Sequence, residues 1–197
     1  MRLRILLLCG CMSVAMSAAA ASAAVPAAQA CAIGTPTAAS NTWDFKGEAN
    51  ATFEDVQSEA RQAIDHAQEL ESYTRDPDLS WQLHADLLLD LKGEINDIGS
   101  RLCRLEAIRR VVYPWQQRVI DQIVTTTRLM ADDAQDAIVF GDAHRLELWL
   151  PTYQAYLVNL RHEAASLTRS VDKAVEFAGV SKEYQGLKSS LEPRGSS

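Results

Sequence analysis

Apolar residues recur alternately three and four positions apart at Trp81, Leu88, Leu91, Ile95, Ile98, Leu102 and Leu105, with His84 as the one polar member of the row. That spacing lines one side of an α-helix and needs a partner helix to cover it. Shorter stripes flank it. Phe53, Val56, Ala60, Ala63, Ala67 and Leu70 predict an earlier helix from Thr52 to about Thr74, opened by a Thr52/Asp55 capping pair and stopped by Asp76-Pro77-Asp78. Ser80 is placed to cap the helix that carries the long seam to about Val112. Beyond Pro114, the positions Val119, Ile123, Met130, Ala134 and Ala137 predict a third helix ending near Gly141. A loop over 142–151 leads to a fourth, running to about Ala178, with Trp149, Tyr153, Tyr156, Leu160, Leu167, Val171 and Ala174 facing inward.

Four amphipathic helices in one chain of this length predict an all-α fold, an antiparallel four-helix bundle over 52–180. An extended linker over 31–51 precedes it, in which Trp43 and Phe45 alternate with polar residues. A flexible polar tail over 181–197 follows. One junction admits an alternative. Val111-Val112-Tyr113-Pro114 holds none of the usual reversal residues, and the apolar phase runs through it at Leu105, Ile108, Val112, Trp115 and Val119. A continuous second-plus-third helix kinked at Pro114 would then give a three-helix arrangement.

The first thirty residues break the pattern. Arg2 and Arg4 precede an apolar run from Ile5, which dissolves into alanine and serine with Ala-x-Ala sites ending at Ala23 and Ala30. This is the layout of a secretory signal peptide over 1–30, and it predicts a periplasmic or secreted protein. Cys9, Cys11 and Cys31 stand near weak lipidation boxes, so lipid attachment is the rival to plain cleavage. No later segment reaches about 18 uninterrupted apolar residues, so no transmembrane span is expected in the mature chain.

Charge then narrows the partners. The chain holds 19 Lys and Arg against 26 Asp and Glu; residues 1–30 contribute Arg2 and Arg4 and no acid, leaving 17 against 26, a formal −9. Such a surface repels nucleic acid and anionic lipid. Arg101, Arg104, Arg109, Arg110 and Arg118 scatter among acids and read as a solvated surface. Past the signal segment only Cys31 and Cys103 remain, in an oxidising compartment. Antiparallel pairing of the first two helices puts Cys103 level with the entry of the first, within reach of the linker. A Cys31–Cys103 disulfide is therefore expected, with two free thiols as the alternative; the bridge would stabilise by about 4 kcal/mol on loop-closure entropy.

Candidate chemistry is sparse. No Glu has a His three residues later, as a carboxylate-bridged di-iron bundle requires. No Cys-x-x-Cys-His, phosphate-binding glycine loop or serine elbow occurs, and no metal site or catalytic residue is predicted. A haem carrier would have to use His84 with Met130. His84 reads more simply as a buried, hydrogen-bonded histidine, and His162 as solvated. His66 flanks its seam, His144 lies in a loop, and Asp132, Asp133 and Asp136 read as an outward charged face. One hydroxyl of Thr125-Thr126-Thr127 is expected inward, bonded to a backbone carbonyl. Trp81, Trp115 and Trp149 near helix starts, with Tyr153 and Tyr156, either fill core and caps or line a small apolar pocket at a bundle end.

Several stretches carry a resemblance. They are Thr42-Trp43-Asp44-Phe45-Lys46-Gly47-Glu48-Ala49, Ser80-Trp81 through His84, Arg109 through Gln117, and Leu148-Trp149-Leu150-Pro151-Thr152-Tyr153 with Asn159-Leu160. The chain resembles, over nearly all of its mature length, an uncharacterised family of exported helical proteins from acidobacteria, a resemblance that implies no activity. Leu167-Thr168-Arg169-Ser170-Val171 also resembles the Leu-Thr-x-x-Gln motif of periplasmic helical chaperones, with Val in place of Gln. The reading is a non-enzymatic exported bundle acting through its surface, as an interaction or scaffold module with a protein partner and no cofactor. A small-ligand or haem carrier and an ATP-independent chaperone are the alternatives.

Overall fold

Asp44 decides where the chain enters the helical region: its side chain accepts a hydrogen bond from Gly47 N–H at 2.9 Å and so satisfies an otherwise unpaired donor. The computed structural model describes residues 44–76 and 80–191. The expected signal segment and the linker up to Trp43 with Cys31, residues 77–79 with Pro77 and Asp78 of the expected helix stop, and the tail after Leu191 lie outside the described residues. Four helices follow in order: α1 Phe45–Tyr73, α2 Trp81–Ile108, α3 Pro114–Ala143 and α4 Pro151–Leu191. No strand occurs among the described residues.

The protein is a four-helix bundle in which α1 packs on α2 and α4, and α3 on the same two helices. Side-chain pairs fix each neighbour as antiparallel. Glu48 and Asp55 meet Arg104 and Arg101 across α1 and α2, and Arg109 meets Asp121 across α2 and α3. Gln122 bonds Ser170 across α3 and α4, while Gln57 and Arg61 reach Asp172 across α1 and α4. Three of the five arginines expected merely to be solvated thus clamp helices together at the surface.

Each helix buries a strict heptad stripe. On α1 it runs Ala49, Phe53, Val56, Ala60, Ala63, Ala67, Leu70; on α2 His84, Leu88, Leu91, Ile95, Ile98, Leu102, Leu105. On α3 it runs Gln116, Ile120, Ile123, Thr127, Met130, Ala134, Ala137; on α4 Tyr153, Leu157, Leu160, Ala164, Leu167, Val171, Ala174. Taken in antiparallel order these make seven layers of four, from Ala49, Leu105, Gln116 and Ala174 at one end to Leu70, His84, Ala137 and Tyr153 at the other. Sustained seven-residue periodicity favours the shallow crossing angle of knobs-into-holes packing.

Several boundaries differ from expectation. α1 starts at Phe45 rather than Thr52, so 45–51 is helix and not linker; Ala49 extends the stripe, and Thr52 bonds back to Glu48 O as an ordinary interior threonine. Ser80 occupies the start of α2 without a side-chain cap bond. At the open junction the chain reverses. A short 3₁₀ turn over Arg109–Val111 ends α2, Val112 is extended, and Pro114 takes the first position of α3, where its missing N–H is harmless. Gln116 Oε1 then accepts from Tyr113 N–H at 2.9 Å. Toward the chain's end, α4 continues to Leu191, so 181–191 is helix rather than loose tail.

Layer membership is testable. Ala63, Leu91, Met130 and Leu160 occupy the fifth layer. Ala63→Leu should cost about 1–3 kcal/mol by overpacking, and Leu91→Ala about 2–5 kcal/mol by cavity formation. Urea unfolding of the double variant should show a loss clearly smaller than the sum; strict additivity would place the two side chains in different layers.

Candidate functional site

The layer containing His84 is the most chemically distinctive part of the molecule. His84 is 3% exposed, and its Nδ1 lies 3.3 Å from the Tyr153 hydroxyl of α4. Tyr73 meets the imidazole edge-on with centroids 5.8 Å apart, and Phe140 stacks on the far side of Tyr153 at 5.9 Å. Burial lowers the His84 pKa and raises that of Tyr153, so at neutral pH the pair is an uncharged imidazole beside an intact phenol.

Beside this pair lies a pocket of about 130 Å³ between α2 and α3, walled by Trp81, Leu88, Ile138, Gly141 and Leu148. A more polar basin of about 210 Å³ adjoins it across Trp81, His84 and Leu148, and brings in Tyr73, Arg145 and Trp149. Of the two readings of these aromatics, the pocket at a bundle end is met in part, with a changed cast. Trp149 is exposed on the loop rather than inward on α4, and Leu148 takes the buried place. Tyr156 is half-buried beside the core residue Leu157. Trp115 stands at the opposite end, where it meets Phe53 and Phe177.

The haem pairing does not form. Met130 is fully buried two layers below His84, about 10 Å along the axis at 1.5 Å per residue, and lines neither pocket. Among the described residues no group of three or more His, Cys, Asp or Glu is arranged to hold a metal. His162 is exposed and His144 pairs with Glu147 at 3.0 Å. Cys103 is half-buried on α2 next to Arg104, level with Glu48; Cys31 lies outside the described residues.

Two carboxylate sites escaped the sequence reading. His66 of α1 stands 2.7 Å from Glu94 Oε1 of α2, and Glu94 is buried, with its pKa raised by desolvation and lowered in turn by His66. Both residues flank a seam, and the antiparallel register alone makes them face. Across α3 and α4, Asp133 bonds Asn159 and Glu163 instead of facing outward with Asp132 and Asp136. Burial and the neighbouring carboxylates Asp133 and Asp132 push Glu163 up to about 7, so it holds its proton well above the usual carboxylate range. Among the inward threonines, Thr127 is the buried one, and its hydroxyl has no hydrogen-bond partner among the described residues; the carbonyl-bonded hydroxyl is that of exposed Thr125.

At the far end α4 outruns its neighbours. By the register above, the first residues of α1 and α3 lie level with about Glu176–Ala178, and α4 continues roughly 20 Å further. Phe177, Val180, Tyr184, Leu187 and Leu191 repeat at heptad spacing along this overhang, and all five are exposed, Tyr184 to 67% and Leu191 to 80%. No described helix is long and apolar enough to cross a membrane.

No family model matches the chain, and comparison with curated proteins and with solved structures finds no match.

The Glu163 proton has a measurable sign. A carboxyl whose pKa rises from 4.5 unfolded to about 7 folded stabilises the fold at acid pH, and loses that contribution as pH climbs to about 7. Glu163→Gln should therefore leave Tm nearly unchanged at pH 5 and raise it at pH 8, by about 3 °C or more. Equal shifts at both pH values would show that no proton is held there.

Proposed function

We propose that the protein is an exported, non-enzymatic interaction module that binds a partner helix along the overhang of α4. The observation that carries this reading is the apolar heptad stripe from Phe177 to Leu191, which begins against Trp115 on the bundle and runs off its end uncovered. An amphipathic helix with anchors at this spacing is the surface complement such a stripe fits. Scattered single apolar residues need no explanation, but five in one helical row form a continuous contact strip. The flanking charges, Glu176, Lys182, Glu183 and Lys188, balance, so the strip itself does not select an acidic or basic partner. Export rests on the Arg2/Arg4 start, the apolar run and the Ala-x-Ala sites. The rest of the bundle then serves as a rigid mount.

The same reading gives Cys103 a part. A Cys31–Cys103 bridge would return the segment before Asp44 to α2, beside the Arg104–Glu48 pair, and fix the entry of α1 in the compartment where disulfides persist. Mass spectrometry of the exported protein without reductant should recover a Cys31–Cys103 linked peptide; two alkylatable thiols would remove the bridge.

Partner binding is tested by a photo-crosslinking residue placed at Tyr184 in the native host, with the same residue at exposed Asp132 as control. A discrete adduct at Tyr184 alone is expected. Changing Val180, Leu187 and Leu191 together to Ser, with the crosslinking residue kept at 184, should keep the thermal transition of the bundle while abolishing capture of that same adduct partner. An adduct equally strong at both positions, or a stripe variant that still captures the partner, would overturn the reading.

A further inference from the structure

We infer that the pocket beside His84 and Tyr153 is a binding site for a small neutral aromatic molecule of one ring carrying a hydroxyl, the phenol class. This is separate from the α4 overhang: the pocket lies at the opposite end of the bundle and shares no residue with the stripe.

Size comes first. An apolar cavity of about 150 Å³ is known to stay dry and to take up benzene. The pocket here, at about 130 Å³, is of the size that takes one ring. Its walls are mostly apolar, the indole of Trp81, the aliphatic side chains of Leu88, Ile138 and Leu148 and the bare backbone of Gly141, with the acidic Asp142 at their edge. The lining holds the Asp142 carboxylate and no cation, so an anion such as benzoate meets repulsion with nothing in return for its lost hydration.

Besides Asp142, the wall holds one polar pair. His84 and Tyr153 bond each other across α2 and α4, 3.3 Å apart, a long contact for such groups. Tyr153 is itself fully buried, so the group a ligand hydroxyl would meet is the His84 imidazole, held in place by that bond. The more polar basin adjoins it, sharing Trp81, His84 and Leu148 as wall residues.

Gly141 makes the site open to a clean experiment. A Cβ built there would meet Leu148 Cδ2 at 3.8 Å and Tyr153 Cε2 at 3.9 Å, ordinary contact distances, and both belong to pocket-lining residues. Alanine is therefore tolerated by the fold while it takes up pocket space, and leucine would fill most of it.

The test is a titration of the full chain with phenol, toluene and benzoate in turn, followed by methyl NMR. Phenol should give saturable shifts at Leu88 and Leu148, with the Leu105 methyls at the other end unmoved. Toluene should bind about three- to tenfold more weakly, the worth of one hydrogen bond, and benzoate not at all. Gly141→Ala should weaken phenol binding, and Gly141→Leu should abolish it. His84→Leu should erase the preference for phenol over toluene while retaining toluene. The inference is overturned if phenol gives no saturable shift, if Gly141→Ala binds phenol unchanged, or if benzoate competes equally.

Discussion

Everything else in this molecule follows from the register between its four heptad stripes. Because neighbouring helices are antiparallel, fixing one layer fixes the partner of every residue along the bundle. Ala49 with Leu105 implies Leu70 with His84; Gln116 with Ala174 implies Ala137 with Tyr153. A slip of a single residue would rotate a stripe by about 100° and expose it, so the register is strongly specified by burial alone. The surface pairs, such as Arg101 with Asp55 and Glu59, or Arg61 with Asp172, then fall into place at matching heights. Their own worth is small, since exposed ion pairs contribute about 0–1 kcal/mol each.

Apolar stripes by themselves leave some freedom to slide by a whole heptad, and buried polar residues in the end layers remove it. Gln116 is fully buried, yet its amide is satisfied at both ends. Nε2 donates to Lys46 O and to Asn50 Oδ1, and Oε1 accepts from Tyr113 N–H. Shifting α3 against α1 would strand those groups at about 1–3 kcal/mol apiece. At the opposite end His84 and Tyr153 tie α2 to α4 in the same manner, diagonal across the bundle. Two polar contacts thus lock both diagonals, one at each end, while the layers between carry the burial.

This division explains what the sequence made legible. The α2 seam and the α1 stripe could be read directly because nothing in them departs from the heptad. On α4 the pattern offers Tyr156 and Leu157 side by side, and only the neighbouring helices decide that Leu157 goes in. The start of α1 was hidden because Asp44-Phe45-Lys46-Gly47 reads as loop composition, yet a single capping carboxylate with Ala49 behind it suffices. The α4 overhang was hidden for a related reason: its stripe at Phe177 and Val180 is offset by one position from Val171 and Ala174, so it looks like the pattern's end. Glu94 and Asp133 were missed because a charge beside a seam normally points to water. Whether it does depends on what stands opposite, which is a tertiary fact. His84 was the exception, since a polar residue within the seam itself announces a buried site.

The space beside His84 is likewise a product of register. In the last two layers α3 contributes only Ala134 and Ala137, and one turn further Gly141, while α2 contributes Leu88 and His84. At the other end Phe53, Trp115 and Phe177 fill the equivalent volume with rings. Small residues on one helix need not leave a gap, because a larger one opposite can close it. Here none does, although alanine at 141 would sit at ordinary contact distance from Leu148 and Tyr153. Glycine inside a helix costs about 0.5–1 kcal/mol relative to alanine, so packing and helix propensity both favour the larger residue. A position where both favour filling and the chain stays empty is one where the empty volume itself is the better candidate for what is being kept.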